Sequence, residues 1–433
     1  MLSHIKNSKN ISYLIISVFP ILLVSGPFLS DLFCIILGLM FILYLIKNKL
    51  LINFYNDQKL YLNFYLLFFI YINLNSIFSF DPKISFYSSF TFLRIILFIF
   101  AVSFFISKDN KIYFGFYLIF FTIIILLFTH SLVQYFFNYD FFLFKEYNQQ
   151  RVSSFFGDEL IMGSFVTRIL PIALGCSFLI NLKNKYILNI IILILSGFLV
   201  LMSAERLALF YYIGISFVYF LLTKKYFRYF VIIFLSLFFL SSLYKTTPID
   251  RLYKLTFSQI NQTSSIFSYR HTLHYLTAYE MFLDKKILGH GIKSFRNVCS
   301  EIKYENFIKA KQNKDISNLK EINKNHSYIL EYKNGCNTHP HNIYLEYGAE
   351  LGLVGLAFLV IKFLYASKIF IFKFVKTVFN KSKNHLDIGK SIILAGVLLQ
   401  LFPLLPSGSF FNNWMMIIFH LSIGFYLSAT KLK

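Results

Sequence analysis

The 433-residue chain is 57% hydrophobic and 20% aromatic, with only 14% charged residues. That balance excludes a soluble globular domain of ordinary make-up. The formal net charge of +22 is spread over short segments between apolar runs, which excludes a nucleic-acid face and reads instead as the orientation code of a membrane protein.

Apolar runs of about 20 residues, enough to cross a bilayer as a helix, recur from end to end. In chain order they are predicted at 11–29, 32–46, 60–80, 86–106, 112–136, 161–182, 186–203, 207–222, 229–244, 343–366, 390–406 and 413–429. The first run follows MLSHIKNSKN without a small-x-small cleavage site, so it reads as a retained helix. Starting inside, alternate junctions hold Lys6 and Lys9; Lys47, Lys49 and Lys59; Lys108 and Lys111; Lys183 and Lys185; Lys224, Lys225 and Arg228; Lys368, Lys373, Lys376, Lys381 and Lys383; and Lys431 and Lys433. The short opposite junctions hold only Lys83, Lys145, Arg151 and Arg206. The expected fold is an all-α polytopic membrane protein of about 12 transmembrane helices with both termini cytoplasmic. About nine helices occupy 1–244, a long periplasmic loop 245–342, and about three helices 343–433.

Within the spans, Cys34 and Cys176 read as small apolar packing residues. Gly26-Pro27 and the cluster of Pro403, Pro406 and Gly408 mark tight turns on the outer side. Arg94 and Arg168 fall inside spans, where a cation costs about 3 kcal/mol on insertion scales, so each is expected to face a polar cavity or a partner carboxylate. Arg151 follows an aromatic outer segment. Arg206, in MSAERLALF, lies at an outer junction that the inside-positive bias disfavours, and snorkelling to headgroups is one reason for its place there.

In the long loop, Tyr269 to Phe282 carries Leu273, Leu276 and Tyr279 between polar residues and predicts an amphipathic helix along the membrane surface. It sets Arg270 and His274 four residues apart on one side. LGHG at 288–291 predicts a flexible turn after it. Residues 301–334, rich in Lys, Asn and Glu with little periodicity, read as a solvated excursion. In an oxidising outer compartment Cys299 and Cys336 are expected to form a disulfide, tying the region after Arg296 to the segment that bears His339 and His341. His339 and His341 flank Pro340, but no Cys, Asp or Glu stands at ligand spacing beside them, so no metal is expected.

Thr338 to Gly355, THPHNIYLEYGAELGLVG, turns a polar segment into a hydrophobic one. Asn342 or Thr338 is the expected N-cap of a membrane helix, with His341 at its mouth. Gly348, Gly352 and Gly355 then follow down one face and predict a groove for another helix. Glu350, some two turns into the span, is expected to pair with an arginine or to help position His341.

His341-Asn342, nine residues and Gly352-x-x-Gly355 resemble the signature of the O-antigen ligase and O-antigen polymerase superfamily, bacterial membrane glycosyltransferases of the GT-C type. The resemblance implies transfer of a glycan from undecaprenyl diphosphate to a lipid A core acceptor, on the periplasmic face of the inner membrane, with no metal, ATP or other cofactor. It implies His341 as general base and Arg206 and Arg270 as diphosphate-binding residues, with His339, Asn342, Glu350 and Arg151 in support. The polymerase of the same superfamily, which would extend a lipid-linked glycan acceptor, stays open, as does a version with a protein acceptor. A lipid-glycan transporter would also show twelve helices, but one long outer loop with titratable residues gathered beside it favours surface chemistry.

Overall fold

The computed structural model describes residues 2–140, 145–146, 151–223, 267–319, 334–379 and 384–432. Among them the all-α polytopic architecture is present, with eight helices long and apolar enough to cross a membrane. The helices are α1 (Leu2–Val24), α2 (Pro27–Lys47), α3 (Leu51–Ile77), α4 (Pro82–Thr91), α5 (Leu93–Lys108), α6 (Lys111–Phe137), α7 (Met162–Leu179), α8 (Lys185–Ser203), α9 (Arg206–Thr223), α10 (Tyr269–Asp284), α11 (Phe295–Val298), α12 (Ile302–Leu319), α13 (Ile343–Phe379), α14 (His385–Gln400) and α15 (Asn413–Thr430). A two-residue antiparallel pair, Tyr139–Asp140 with Lys145–Glu146, follows α6. The run predicted at 229–244 lies outside the described residues, as do 245–266 and 320–333 of the long loop.

Local sequence explains the element ends. Asp81 accepts a hydrogen bond from the Ile84 N–H at 3.0 Å and Pro82 takes the first turn, so α4 starts there. The amphipathic helix predicted from Tyr269 is α10, capped by Ser268, whose hydroxyl accepts from the His271 N–H. One expectation is corrected: the first half of 301–334 is helical, as α12. Its ordering face consists of Tyr304, Ile308 and Gln312, all buried and four residues apart, a stripe that the surrounding Lys, Asn and Glu conceal.

The innermost helix is α7, in which every residue from Met162 to Leu179 except Ser164 is buried. It packs against α14 where Gly175 meets Gly389, and a Cβ on Gly389 would stand 2.8 Å from the Gly175 carbonyl oxygen. Between membrane helices the gain comes from van der Waals contact, so small residues at the crossing bring the backbones together. Leu39, Leu43, Leu67, Leu118, Ile361 and Phe372 point outward, as lipid-facing residues do. Of the two arginines inside spans, Arg94 is answered by Asp31, Nε to Oδ1 2.8 Å.

The glycines of α13 do not form the helix-packing groove expected of them. Gly352 breaks the helix with φ 62°, ψ −161°, a conformation open to glycine and costly for other residues. Into this break runs the stretch after α10. Leu353 N–H donates to Lys286 O at 2.7 Å, His290 N–H to Ala349 O at 3.0 Å and Gly291 N–H to Glu350 O at 2.8 Å. The 288–291 turn is thus pinned rather than flexible, and it is held from the other side by Phe80 N–H, which donates to His290 O at 2.8 Å. A side chain on Gly352 would meet the Ile287 backbone, whereas Gly355 faces Leu351 of its own helix. The sequence spacing matched a groove, but the close approach is made by a loop.

Candidate functional site

The first turns of α2, α7, α9, α10 and α15, together with the segment before α13, meet at one end of the bundle around an open cavity of about 1700 Å³. Ligand pockets commonly measure about 300–1,000 Å³, so this one has room for an extended substrate. Five cations line it, Arg151, Arg168, Arg206, Lys293 and Arg296, against two acids, Glu159 and Glu205. The field inside therefore favours anions. Leu23, Val24, Phe402, Leu404 and Met415 supply apolar wall, and the expected turn residues Gly26, Pro27, Pro406 and Gly408 belong to the same lining.

His341 and His339 both line the cavity. His341 has φ 59°, left-handed for a residue with a side chain, and its carbonyl accepts from the Ser407 N–H at 2.8 Å. Asn337 Nδ2 lies 2.9 Å from His341 Nε2; with the amide donating, Nε2 is the unprotonated nitrogen of the ring. Asn342 is the N-cap of α13: its Oδ1 accepts from Tyr344 N–H at 2.9 Å and Leu345 N–H at 3.2 Å, while its Nδ2 donates to Pro403 O at 2.8 Å. The cap thus ties the mouth of α13 to the turn between α14 and α15.

Four imidazoles gather here. The ring centroid of His341 is 4.2 Å from that of His339, 5.0 Å from His271 and 5.5 Å from His274. Burial, then the neighbouring imidazoles and Arg270, push His341 down to about 3. Burial likewise takes His339 and His271 down to about 4. These rings are neutral at pH 7, so His341 is in its proton-accepting form. An anion bound beside it would raise its proton affinity. His274 Nδ1 is 2.8 Å from Gly335 O, which holds the 334–341 segment onto α10. Among the described residues no three His, Cys, Asp or Glu side chains are disposed to hold a metal ion.

The two arginines singled out by resemblance take different positions. Arg206 is the first residue of α9 and lines the cavity. Arg270, exposed on the first turn of α10, is not part of the lining, yet its charge depresses His341, His271 and His274. Arg151 has a structural task as well: Nε donates to Ser203 O at 2.8 Å and an Nη to Leu160 O at 2.9 Å, with Glu205 3.9 Å away. Glu205 in turn accepts from the Gly163 and Ser164 N–H groups at 2.8 and 3.2 Å, an acid at the N-terminus of α7.

Among the described residues Glu350 forms no ion pair with an arginine, although the Arg296 charge acts on it. Its carboxylate accepts from the backbone N–H groups of Lys293 at 2.8 Å and Phe295 at 3.1 Å. Glu346 does the same with Phe410 N–H at 2.8 Å and the Ser409 hydroxyl. Buried carboxylates thus hold the loops that carry Lys293, Arg296 and Ser407. Cys299 and Cys336 are joined as a disulfide, Cα atoms 5.3 Å apart, which fixes the start of the histidine segment to the end of α11. His271, Lys293 and Arg296 were not singled out from the sequence. Lys293 and Arg296 are basic residues close after the Gly-rich turn, and His271 is the neighbour of Arg270, but ordinary surface residues share those features.

Residues 191–360 match the O-antigen ligase family. The chain carries a domain of the O-antigen ligase superfamily. The matched stretch runs from within α8 to within α13 and includes Arg206, Arg270, the disulfide and His341. A search of curated proteins gives no match. The chain is a multi-pass membrane protein, and its matched stretch supports the O-antigen ligase superfamily.

Proposed function

We propose that the protein is an O-antigen ligase, moving a glycan from undecaprenyl diphosphate to a hydroxyl of a lipid A core acceptor on the periplasmic face of the inner membrane. The observation that carries this reading is the meeting of a neutral His341 with Arg206 and four other cations in one open cavity of about 1700 Å³. A lipid-linked sugar diphosphate already holds its leaving group, so the protein needs a base, an anion site and space. The acceptor hydroxyl replaces the Asn337 amide as donor to His341 Nε2, which takes its proton as the hydroxyl oxygen attacks the anomeric carbon. The bond from that carbon to the diphosphate oxygen breaks, and polyprenyl diphosphate leaves with its charge stabilised by Arg206, with Arg270 at the rim. Asn337 holds Nε2 until the acceptor arrives, His339 packs against the base, and Asn342 fixes the helix mouth below it. The basic clusters on the alternate junctions support cytoplasmic termini and a periplasmic cavity.

The test is a transfer assay with purified protein, a lipid-linked glycan and either lipid A core or a second lipid-linked repeat as acceptor. Glycan joined to lipid A core is expected. Extension of the lipid-linked glycan alone would make the protein a polymerase, and no transfer to either acceptor would overturn the reading.

A further inference from the structure

Arg168 stands on α7 in the floor of the cavity. Its side chain is 3% exposed, and its Nε and Nη1 are buried with no hydrogen-bond partner among the described residues. The guanidinium carbon lies 5.0 Å from the centroid of the Tyr211 ring. That contact leaves the Nε and Nη1 N–H groups unanswered. The other arginine inside a span, Arg94, has its carboxylate. An arginine at this depth that lacks a carboxylate and faces a cavity marks a ligand path by default.

Depth decides which anion. Tyr211 is five residues below Arg206 on α9, roughly 7 Å along the axis at about 1.5 Å per residue. Arg168 is therefore about one and a half helical turns deeper than the arginine at the cavity mouth, toward the apolar interior. A polyprenyl diphosphate has a built-in direction: its lipid-bearing phosphate is nearer the membrane interior, and its sugar-bearing phosphate is nearer the aqueous side. Resting on the donor reading above, we infer that Arg168 over Tyr211 is the subsite for the lipid-bearing phosphate of a polyprenyl phosphate ester, with Arg206 meeting the outer phosphate. The pair orders the donor with its sugar toward His341, and the deep subsite retains a polyprenyl monophosphate by itself.

The experiment is a binding titration of the full-length protein in nanodiscs with a short-chain polyprenyl monophosphate and the matching diphosphate. Wild type should bind both. R168Q should lose about tenfold or more in affinity for both lipids, whereas R206Q should weaken the diphosphate and leave the monophosphate within about twofold. R168K, which keeps the charge without the planar fork, should fall between wild type and R168Q, and it carries the test where R168Q does not fold. Wild-type affinity for both lipids in R168Q, or in R168K where that variant stands in, would overturn the subsite and leave the donor reading intact. Displacement of the monophosphate by an equal amount of phosphatidylglycerol would overturn it in favour of an ordinary headgroup site. Failure of wild type to bind the diphosphate would bring down the donor reading itself.

Discussion

Helix α5 and the stretch from Gly335 to Gly352 are held by different means. In α5, Ile95 to Ile106 are apolar almost without interruption and all but Leu97 are buried, packed on α15, α2 and one another. Each contact is small, many are made, and none depends on one atom. In the 335–352 stretch the hold rests on single assignments: Cys336 to Cys299, His341 O to Ser407, Asn342 to the first turn, Glu346 and Glu350 to backbone N–H groups, Gly352 to the break. The first kind of region tolerates exchange of one apolar side chain for another. The second fixes atoms to the accuracy that chemistry needs, and fails when one assignment is lost.

That difference can be broken or sharpened by substitution, with unfolding in detergent and hydrogen exchange of 334–342 as readouts. Removing the disulfide with Cys336→Ser is expected to cost the 335–352 stretch, the cap over the cavity, about 4 kcal/mol in the chain-entropy model, and hydrogen exchange of the histidine segment should rise well above that of the bundle. Gly352→Ala places a side chain on a left-handed residue against the Ile287 backbone and should cost about 3 kcal/mol. Glu350→Gln leaves one of two buried N–H groups facing an amide nitrogen and should cost about 2 kcal/mol. Ile96→Leu, a volume-conserving change in the bundle, should cost less than about 1.5 kcal/mol. Equal losses in cap and bundle variants would remove the distinction.

A separate effect is expected with pH. His271, His339 and His341 bind protons more weakly folded than unfolded. The unfolded chain therefore takes up protons first as pH falls below about 6.5. Cap stability should be full above that value and decline towards pH 4, as read by hydrogen exchange of 334–342 at pH 7 and pH 5. A cap more stable at pH 5 would mean that these imidazoles are held charged. In activity, the acid limb of kcat/KM should lie below pH 6.5, because His341 stays neutral in the free protein.

The same division explains what could be read in advance. Hydropathy and charge located the helices because burial in lipid is a property of composition, and α2, α6 and α8 begin or end within a few residues of expectation. Cys299 with Cys336, and the capping role of Asn342, follow from residue type and position. The partner of Glu350 did not follow, since backbone N–H groups carry no sequence signature. Nor did the use of Gly352, since a glycine for a helix crossing and a glycine for a helix break look alike. Arg206 and Arg270 were marked by resemblance, while Lys293 and Arg296 reach the cavity through the loop fixed by Glu350, a contact between residues more than fifty apart.

The central claim is that His341 takes the proton of the incoming hydroxyl. It is tested most directly by the single-turnover transfer rate of His341→Ala with donor bound beforehand and acceptor in excess. The account predicts a loss of about 10²- to 10⁴-fold with donor affinity changed less than about threefold. A wild-type rate in that variant would contradict it.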